Sequence, residues 1–385
     1  MSTSVENVFF ALLRFDVFKI APDENIIRFI TPELLPSLYK LSKKHDLAHI
    51  VADALMKNGL LYGDSEVARK FLRERDLAVY RYRQLEYELG QMSVALEEAE
   101  VPFMPLKGSI LRGYYPEPWM RTSCDIDVLV REESLERAIA VLIEKLNYKR
   151  GNTGTHDVTL LAPSGVHIEL HFRLSTDDKL DAIFEDVFDS PTPGWRYRYS
   201  MSWEMFYFYH IVHMAIHMRS GGCGVKPLLD MIIIKQKISY SEERVKEFLA
   251  QCGLLSFERE ASTLSECWFS GAEFTPVTEA LNSYILHGGV YGNVENRMAV
   301  VQTEKRGKLR YILSRVFVNF YEMSIKYPSL NKRKILFPLY QVYRWFDLLI
   351  NKKSRDYAKA AVCHTYKLDD DRVATTEDLF RALEL

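Results

Sequence analysis

The sequence predicts an α+β protein in which a small mixed sheet, within residues 99–199, lies between a helical N-terminal region, 1–98, and a helical C-terminal domain, 200–385. Three observations lead there. Apolar residues recur at helical spacing through the first stretch. Two prolines and then strict apolar–polar alternation take over between Val101 and Leu174. Helical spacing resumes near Ser200.

Thr31-Pro32-Glu33 reads as a helix start, with a hydroxyl cap, a proline at the first helical position and an acid behind it. Leu38, Leu41, Leu47, Ile50, Val51 and Leu55 follow at helical spacing, and a second long amphipathic stretch covers 65–98. Pro102 and Pro105 forbid a long helix through Val101–Leu106, which reads as extended. Residues 109–115 suit a short helix, Tyr115–Trp119 a loop, 124–130 a strand and 132–146 an amphipathic helix. Strands are expected at 155–162 and 165–174, joined by Ala162-Pro163-Ser164-Gly165. Pro191-Thr192-Pro193-Gly194 marks a boundary, after which helices are expected at 202–219, 225–236, 241–252 and 256–268.

Composition narrows the class. A chain of 385 residues is long enough for two or three domains with ample core. An apolar content of 48% with 26% charged residues is that of an ordinary globular protein. A net charge of −2 exerts no global pull toward nucleic acid. Cys124, Cys223, Cys252, Cys267 and Cys363 form no CxxC pair, which points to reduced thiols in a cytoplasmic protein. The N-terminus has neither the basic segment nor the cleavage site of a signal peptide. No apolar run approaches the roughly 20 residues that cross a bilayer.

Asp125 and Asp127 are two apart on an expected strand, so they share a face while Ile126, Val128 and Val130 turn to the core. Carboxylates about 6.5–7 Å apart along a strand suit oxygen-loving Mg²⁺ or Mn²⁺. The alternative is a solvated strand edge. In 166–174 the alternation sets Val166, Ile168, Leu170, Phe172 and Leu174 on one face and His167, Glu169, His171 and Arg173 on the other. If that strand neighbours the first, Glu169 supplies a third carboxylate; otherwise its polar face needs no role.

Lys107-Gly108-Ser109 feeds the short helix. Amides at a helix N-terminus bind phosphate, glycine permits close approach, Ser109 adds a hydroxyl and Lys107 a point charge. Arg121 either reaches triphosphate oxygens or pairs with one of the strand aspartates.

A Gly-Ser turn, then D-x-D on a strand, then an acid on a later strand resembles the polymerase-beta-like nucleotidyltransferases. Residues 100–174 are most similar to their subgroup of uncharacterised nucleotidyltransferases. Lys107-Gly108, Tyr114-Tyr115-Pro116, Arg121, Asp125-Ile126-Asp127 and Glu169-Leu170-His171 carry the likeness. It extends more loosely to the histidine-bearing helix and to Asp230. A lysine in place of an apolar residue before the glycine fits the subgroup; the gap from Ser109 to Asp125 is longer than the superfamily's usual one. The resemblance implies an NTP donor and two Mg²⁺ or Mn²⁺ ions bridged by Asp125, Asp127 and Glu169, with Glu169 also a candidate base. An intact acid triad argues against an inactive relative.

His210, His213 and His217 share a helix face. They form a transition-metal site, a nucleotide or acceptor contact, or a packed interface; the resemblance favours a lining of the cleft. No cysteine or acid at suitable spacing completes a zinc set. Asp230 sits on an apolar helix and needs a partner, for which one of these histidines is a candidate. Residues 305–355 are basic with interleaved aromatics, a surface for an anionic partner or else amphipathic helices with solvated lysines. The leading expectation is transfer of an NMP to a hydroxyl on a small molecule, a protein or peptide, or RNA. Its rivals are a non-catalytic nucleotide-binding or interaction module and, more weakly, a metal-dependent phosphotransferase or hydrolase using the histidine face.

Overall fold

A computed structural model describes residues 4–61, 65–175, 177–184, 187–188, 190–304, 318, 320, 323–324, 327, 329–330, 333–351 and 370–385. The chain falls into two compact units, Met1–Met214 with Val225–Phe274, and Ala215–Gly224 with Thr275–Leu385.

The first unit opens with α1 (Val5–Phe18), α2 (Glu24–Phe29), α3 (Leu35–Lys44), α4 (Ala48–Lys57) and α5 (Glu66–Glu98). Thr31-Pro32 does not start a helix. The Leu34 amide closes a turn on the Thr31 carbonyl (3.0 Å), and α3 begins at Leu35 with a proline in its first turn. The apolar period from Leu38 to Leu55 is carried by two helices, because Asp46, at φ 53°, turns the chain between them. The expected long helix is continuous, and Ser65 caps it by accepting from the Ala68 amide (3.2 Å).

The sheet contains β1 (Phe103–Pro105), β2 (Asp125–Val130), β3 (Lys149–Thr153), β4 (Asp157–Leu161) and β5 (His167–His171), in the order β1-β2-β5-β4-β3. Within this sheet β2 and β5 pair in parallel and the other neighbours antiparallel, so the fold is α+β with a mixed sheet. Pro105 lies on an edge strand, where a missing amide is tolerated. The sequence concealed β3. All five of its residues are exposed, so backbone pairing to β4 leaves no alternation to read.

Between the strands run α6 (Gly108–Leu111) and α7 (Leu135–Leu146). Ile126, Val128, Val130, Ile168 and Leu170 form the sheet's apolar face and pack on Leu85, Met92 and Leu96 of α5 and on Ala138, Ile139 and Leu142 of α7. Each fully buried side chain of this size contributes about 1.5–3 kcal/mol. A slip of one residue would bury the carboxylates in their place, so this face fixes the register that presents the acids.

After α8 (Asp178–Ile183), the Pro191–Gly194 segment folds into a hairpin of β6 (Ser190–Pro191) and β7 (Tyr199–Ser200). The Phe103 amide donates to the Tyr197 carbonyl (2.9 Å), which ties the hairpin to β1. Helices α9 (Trp203–Arg219), α10 (Lys226–Lys237), α11 (Glu242–Gln251) and α12 (Leu255–Phe269) lie within one residue of the expected bounds.

The second unit takes in the end of α9, then α13 (Pro276–Gly288), α14 (Val294–Glu304), α15 (Phe337–Ile350) and α16 (Asp370–Ala382). Thr275 and Thr278 form a reciprocal cap on α13, and Arg372 of α16 binds Glu295 and Asn296 of α14, at 2.8 Å each. Most of the basic residues expected to form a surface within 305–355 lie outside the described residues. No described helix is long and apolar enough to cross a membrane. The four described cysteines form no disulfide.

Candidate active site

The sheet face opposite α5 and α7 carries the acids. Parallel pairing sets Asp125 beside His167, Asp127 beside Glu169 and Leu129 beside His171. Paired residues of parallel strands point the same way, so the three carboxylates share one face. Donor atoms of Asp127, Glu169 and His171 all lie within 4.8 Å of one another. Asp125 stands outside this close set but bears on it by charge.

Two groups donate to the same Asp127 oxygen. Lys107 Nζ and His171 Nε2 each lie 2.9 Å from Oδ1. His171 Nε2 is also 3.5 Å from Glu169 Oε2. Because Nε2 faces carboxylates, it carries the proton, and His171 orients Asp127 and Glu169. Burial opposes ionisation of Asp127, yet Lys107 and His171 outweigh it and hold that carboxyl well below the usual range. Asp125 goes the other way: burial, then the charges of Asp127 and Glu169, push it up to about 6. Burial also disfavours the charged forms of Lys107 and His171, but their anionic neighbours prevail and both pKa values rise.

Lys107 has φ 46° and ψ −118°, a conformation costly for any residue with a Cβ. The phosphate seat expected at this turn differs in detail. The Ser109, Ile110 and Leu111 amides are engaged within the turn, on Leu106 and Lys107 carbonyls. Gly108 faces inward, and a Cβ there would lie 3.5 Å from Ser123 Cβ and 3.6 Å from Arg121 Nη1. A methyl fits at that distance; a branched side chain would press on both.

Arg121 pairs with Asp230, not with a strand aspartate. Its Nε lies 2.8 and 2.9 Å from the two Asp230 oxygens, and Nη2 is 2.8 Å from Oδ2. Asp230 also accepts from the Tyr115 hydroxyl (2.7 Å), so its partners are an arginine and a tyrosine in place of a histidine. Nearby, Lys226 donates to Asp46 (2.5 Å) and to Thr122 Oγ1 (2.8 Å). The Thr122 carbonyl accepts from Arg121 Nη1 (2.7 Å) and Lys226 (3.3 Å), which joins the two pairs. No local pattern in the sequence singles out Asp46, Thr122 or Lys226.

Arg173 lies past the end of β5 and pairs with Asp181 (2.7 Å). His210 contacts the Pro227 carbonyl (2.9 Å), and the His213 ring lies 6.2 Å from that of Tyr209. His217 is one turn further on α9, in the second unit. None of the three histidines belongs to a close metal-capable cluster among the described residues.

Two residues near the acids carried no obvious motif. Tyr209 on α9 is buried with its hydroxyl beside Lys107; burial pushes that hydroxyl up to about 12. The His156 ring, just before β4, lies 5.6 Å from the His171 ring, tilted by 32° to it. The available signals were faint: Tyr209 precedes His213 by one helical turn, and His156 precedes an acid.

The donor set fits a hard divalent cation. It offers carboxylate oxygens on adjacent strands, and their mutual repulsion, visible at Asp125, is what a cation would relieve.

Comparison with curated proteins and with solved structures gives no match. The family model of an uncharacterised nucleotidyltransferase matches residues 33–270, reaching from before α3 to the end of α12. The chain therefore belongs to that family of nucleotidyltransferases, and its general role is nucleotidyl transfer.

Proposed function

We propose that the protein transfers a nucleoside monophosphate from an NTP to a hydroxyl-bearing acceptor and releases pyrophosphate. The observation that carries this is the in-register pairing of Asp127 with Glu169, which gathers carboxylates on one face of a nucleotidyltransferase core. In this reading residues 99–199 hold the chemistry and 1–98 and 200–385 flank it, in the cytoplasm.

Asp125, Asp127 and Glu169 would hold Mg²⁺ or Mn²⁺, which when bound supplies charge to the triphosphate and acidifies the acceptor hydroxyl. His171 fixes the orientation of Asp127 and Glu169 through its proton. Glu169 accepts the hydroxyl proton as the acceptor oxygen attacks the α-phosphorus. Lys107 and the Ser109 hydroxyl meet the triphosphate. Arg121, committed to Asp230, shapes the seat from behind. Catalysis then rests mainly on positioning and on charge.

The test incubates the protein with each α-³²P-labelled NTP, Mg²⁺ or Mn²⁺, and cell extract as acceptor source. Label should enter an acceptor with one or more nucleotides, and the size of the labelled species separates small molecule, protein and RNA. Metal-dependent NTP binding with no label transferred under any of these conditions would favour the non-catalytic module.

A further inference from the structure

We propose that Lys107 is a movable counter-ion that couples cation binding to nucleotide binding. It competes with the divalent cation for Asp127 Oδ1, and the triphosphate takes up the displaced ammonium. The inference rests on the nucleotidyltransferase reading above and concerns how its two ligands depend on one another.

Asp127 Oδ1 already receives two donors, Lys107 and His171, at 2.9 Å each. An oxygen with both lone pairs engaged has no direction left for a cation, so a cation that takes Oδ1, alone or bidentately with Oδ2, displaces one donor. His171 belongs to β5, is 4% exposed, and is held by Glu169 and the His156 ring as well. Lys107 is on a turn at the end of a flexible four-carbon stem, with its side chain 23% exposed. Its backbone is strained at φ 46°, a cost that persists only where surroundings impose it. Lys107 is therefore the donor that leaves.

Once displaced, the ammonium sits beside a divalent charge and needs a new anion. Tyr209, beside it, is a neutral phenol and supplies none. Phosphate oxygens do. Cation and triphosphate each make room or charge for the other, which is positive coupling, and by linkage it is reciprocal.

The experiment titrates Mn²⁺ by the EPR signal of the free ion. It is run with and without an NTP analogue bearing a methylene between the α and β phosphorus atoms. In the wild type the analogue should tighten Mn²⁺ by about tenfold or more, within the usual range of coupling. Lys107→Met should bind Mn²⁺ alone about tenfold tighter than wild type and show coupling of about threefold or less. Lys107→Gly removes the same charge while relieving the positive φ, so it keeps the test open if the methionine variant folds poorly. Lys107→Arg retains the charge and should retain the coupling. Coupling in the wild type with no gain in Mn²⁺ affinity in either neutral variant overturns the counter-ion role alone. Absence of Mn²⁺ binding in the wild type, with and without the analogue, overturns the metal site together with it.

Discussion

On the acidic face of β2 and β5, three carboxylates share one lysine and one imidazole, and two of them shift in opposite directions. Elsewhere in the molecule, Asp230 has Arg121 and Tyr115, and Asp46 has Lys226 and Thr122. Both clusters are built from carboxylates and long cations within the same unit. They differ in balance. One-to-one pairing with its hydrogen bonds filled makes a brace. An excess of acids makes a place whose occupants can change. A paired, buried carboxylate is thus poor grounds for function, whereas an underpaired one is better grounds.

Neutralising one acid from each cluster should have opposite consequences. Asp127→Asn should lower transfer by about 10³-fold or more, equivalent to about 4 kcal/mol, measured as label incorporation per enzyme. Its unfolding free energy should change by only about 1 kcal/mol or less, because neutralisation also relieves Asp125. Unchanged transfer in that variant would remove Asp127 from the site.

Asp230→Asn should do the reverse to stability. Arg121 would remain buried without its counter-charge, which costs about 3–5 kcal/mol in a urea unfolding experiment. If that variant unfolds at the wild-type midpoint with the wild-type slope, the brace is not one.

A smaller effect is expected at the boundary between the clusters' roles. His171→Gln keeps a donor but loses the imidazole that spans Asp127 and Glu169, and Mn²⁺ affinity should fall by about 10–100-fold. Calorimetric titration would read it. An affinity equal to wild type would mean that orientation of the acids comes from the strands alone.

The smallest effect is with pH. Asp125 retains its proton up to about 6, so its charge is present above that value and lost below it. Mn²⁺ affinity should therefore fall by about tenfold between pH 7 and pH 5. Asp125→Asn should flatten this slope and bind weakly throughout. A slope unaltered by that substitution assigns the titration to another group.

The two clusters also differ in how far the sequence disclosed them. Alternation in 124–130 and 166–174 gave the acid face directly, because a half-buried strand writes its register into every second residue. The brace left no such trace. Arg121 and Asp230 are 109 positions apart, Asp46 and Lys226 are 180 apart, and no local period links them. From the sequence Arg121 therefore reads as a phosphate ligand or the partner of a nearby aspartate, whereas a more distant acid holds it. Helix bounds from 202 to 269 were legible from apolar spacing, while β3 was hidden because pairing without burial leaves no pattern. The Lys-Gly-Ser turn was legible as a turn. That the positive φ falls on Lys107, with its ammonium on Asp127, depends on packing that spacing does not encode.

If the acidic face of β2 and β5 carries the proposed chemistry, it moves the α-phosphorus of an NTP. Parallel reactions with α-³²P- and γ-³²P-labelled NTP, Mg²⁺ or Mn²⁺, and an extract as acceptor source test it most directly. The α label should enter the acceptor, the γ label should appear only in pyrophosphate, and Asp127→Asn should abolish both. Transfer of the γ label to the acceptor would contradict it.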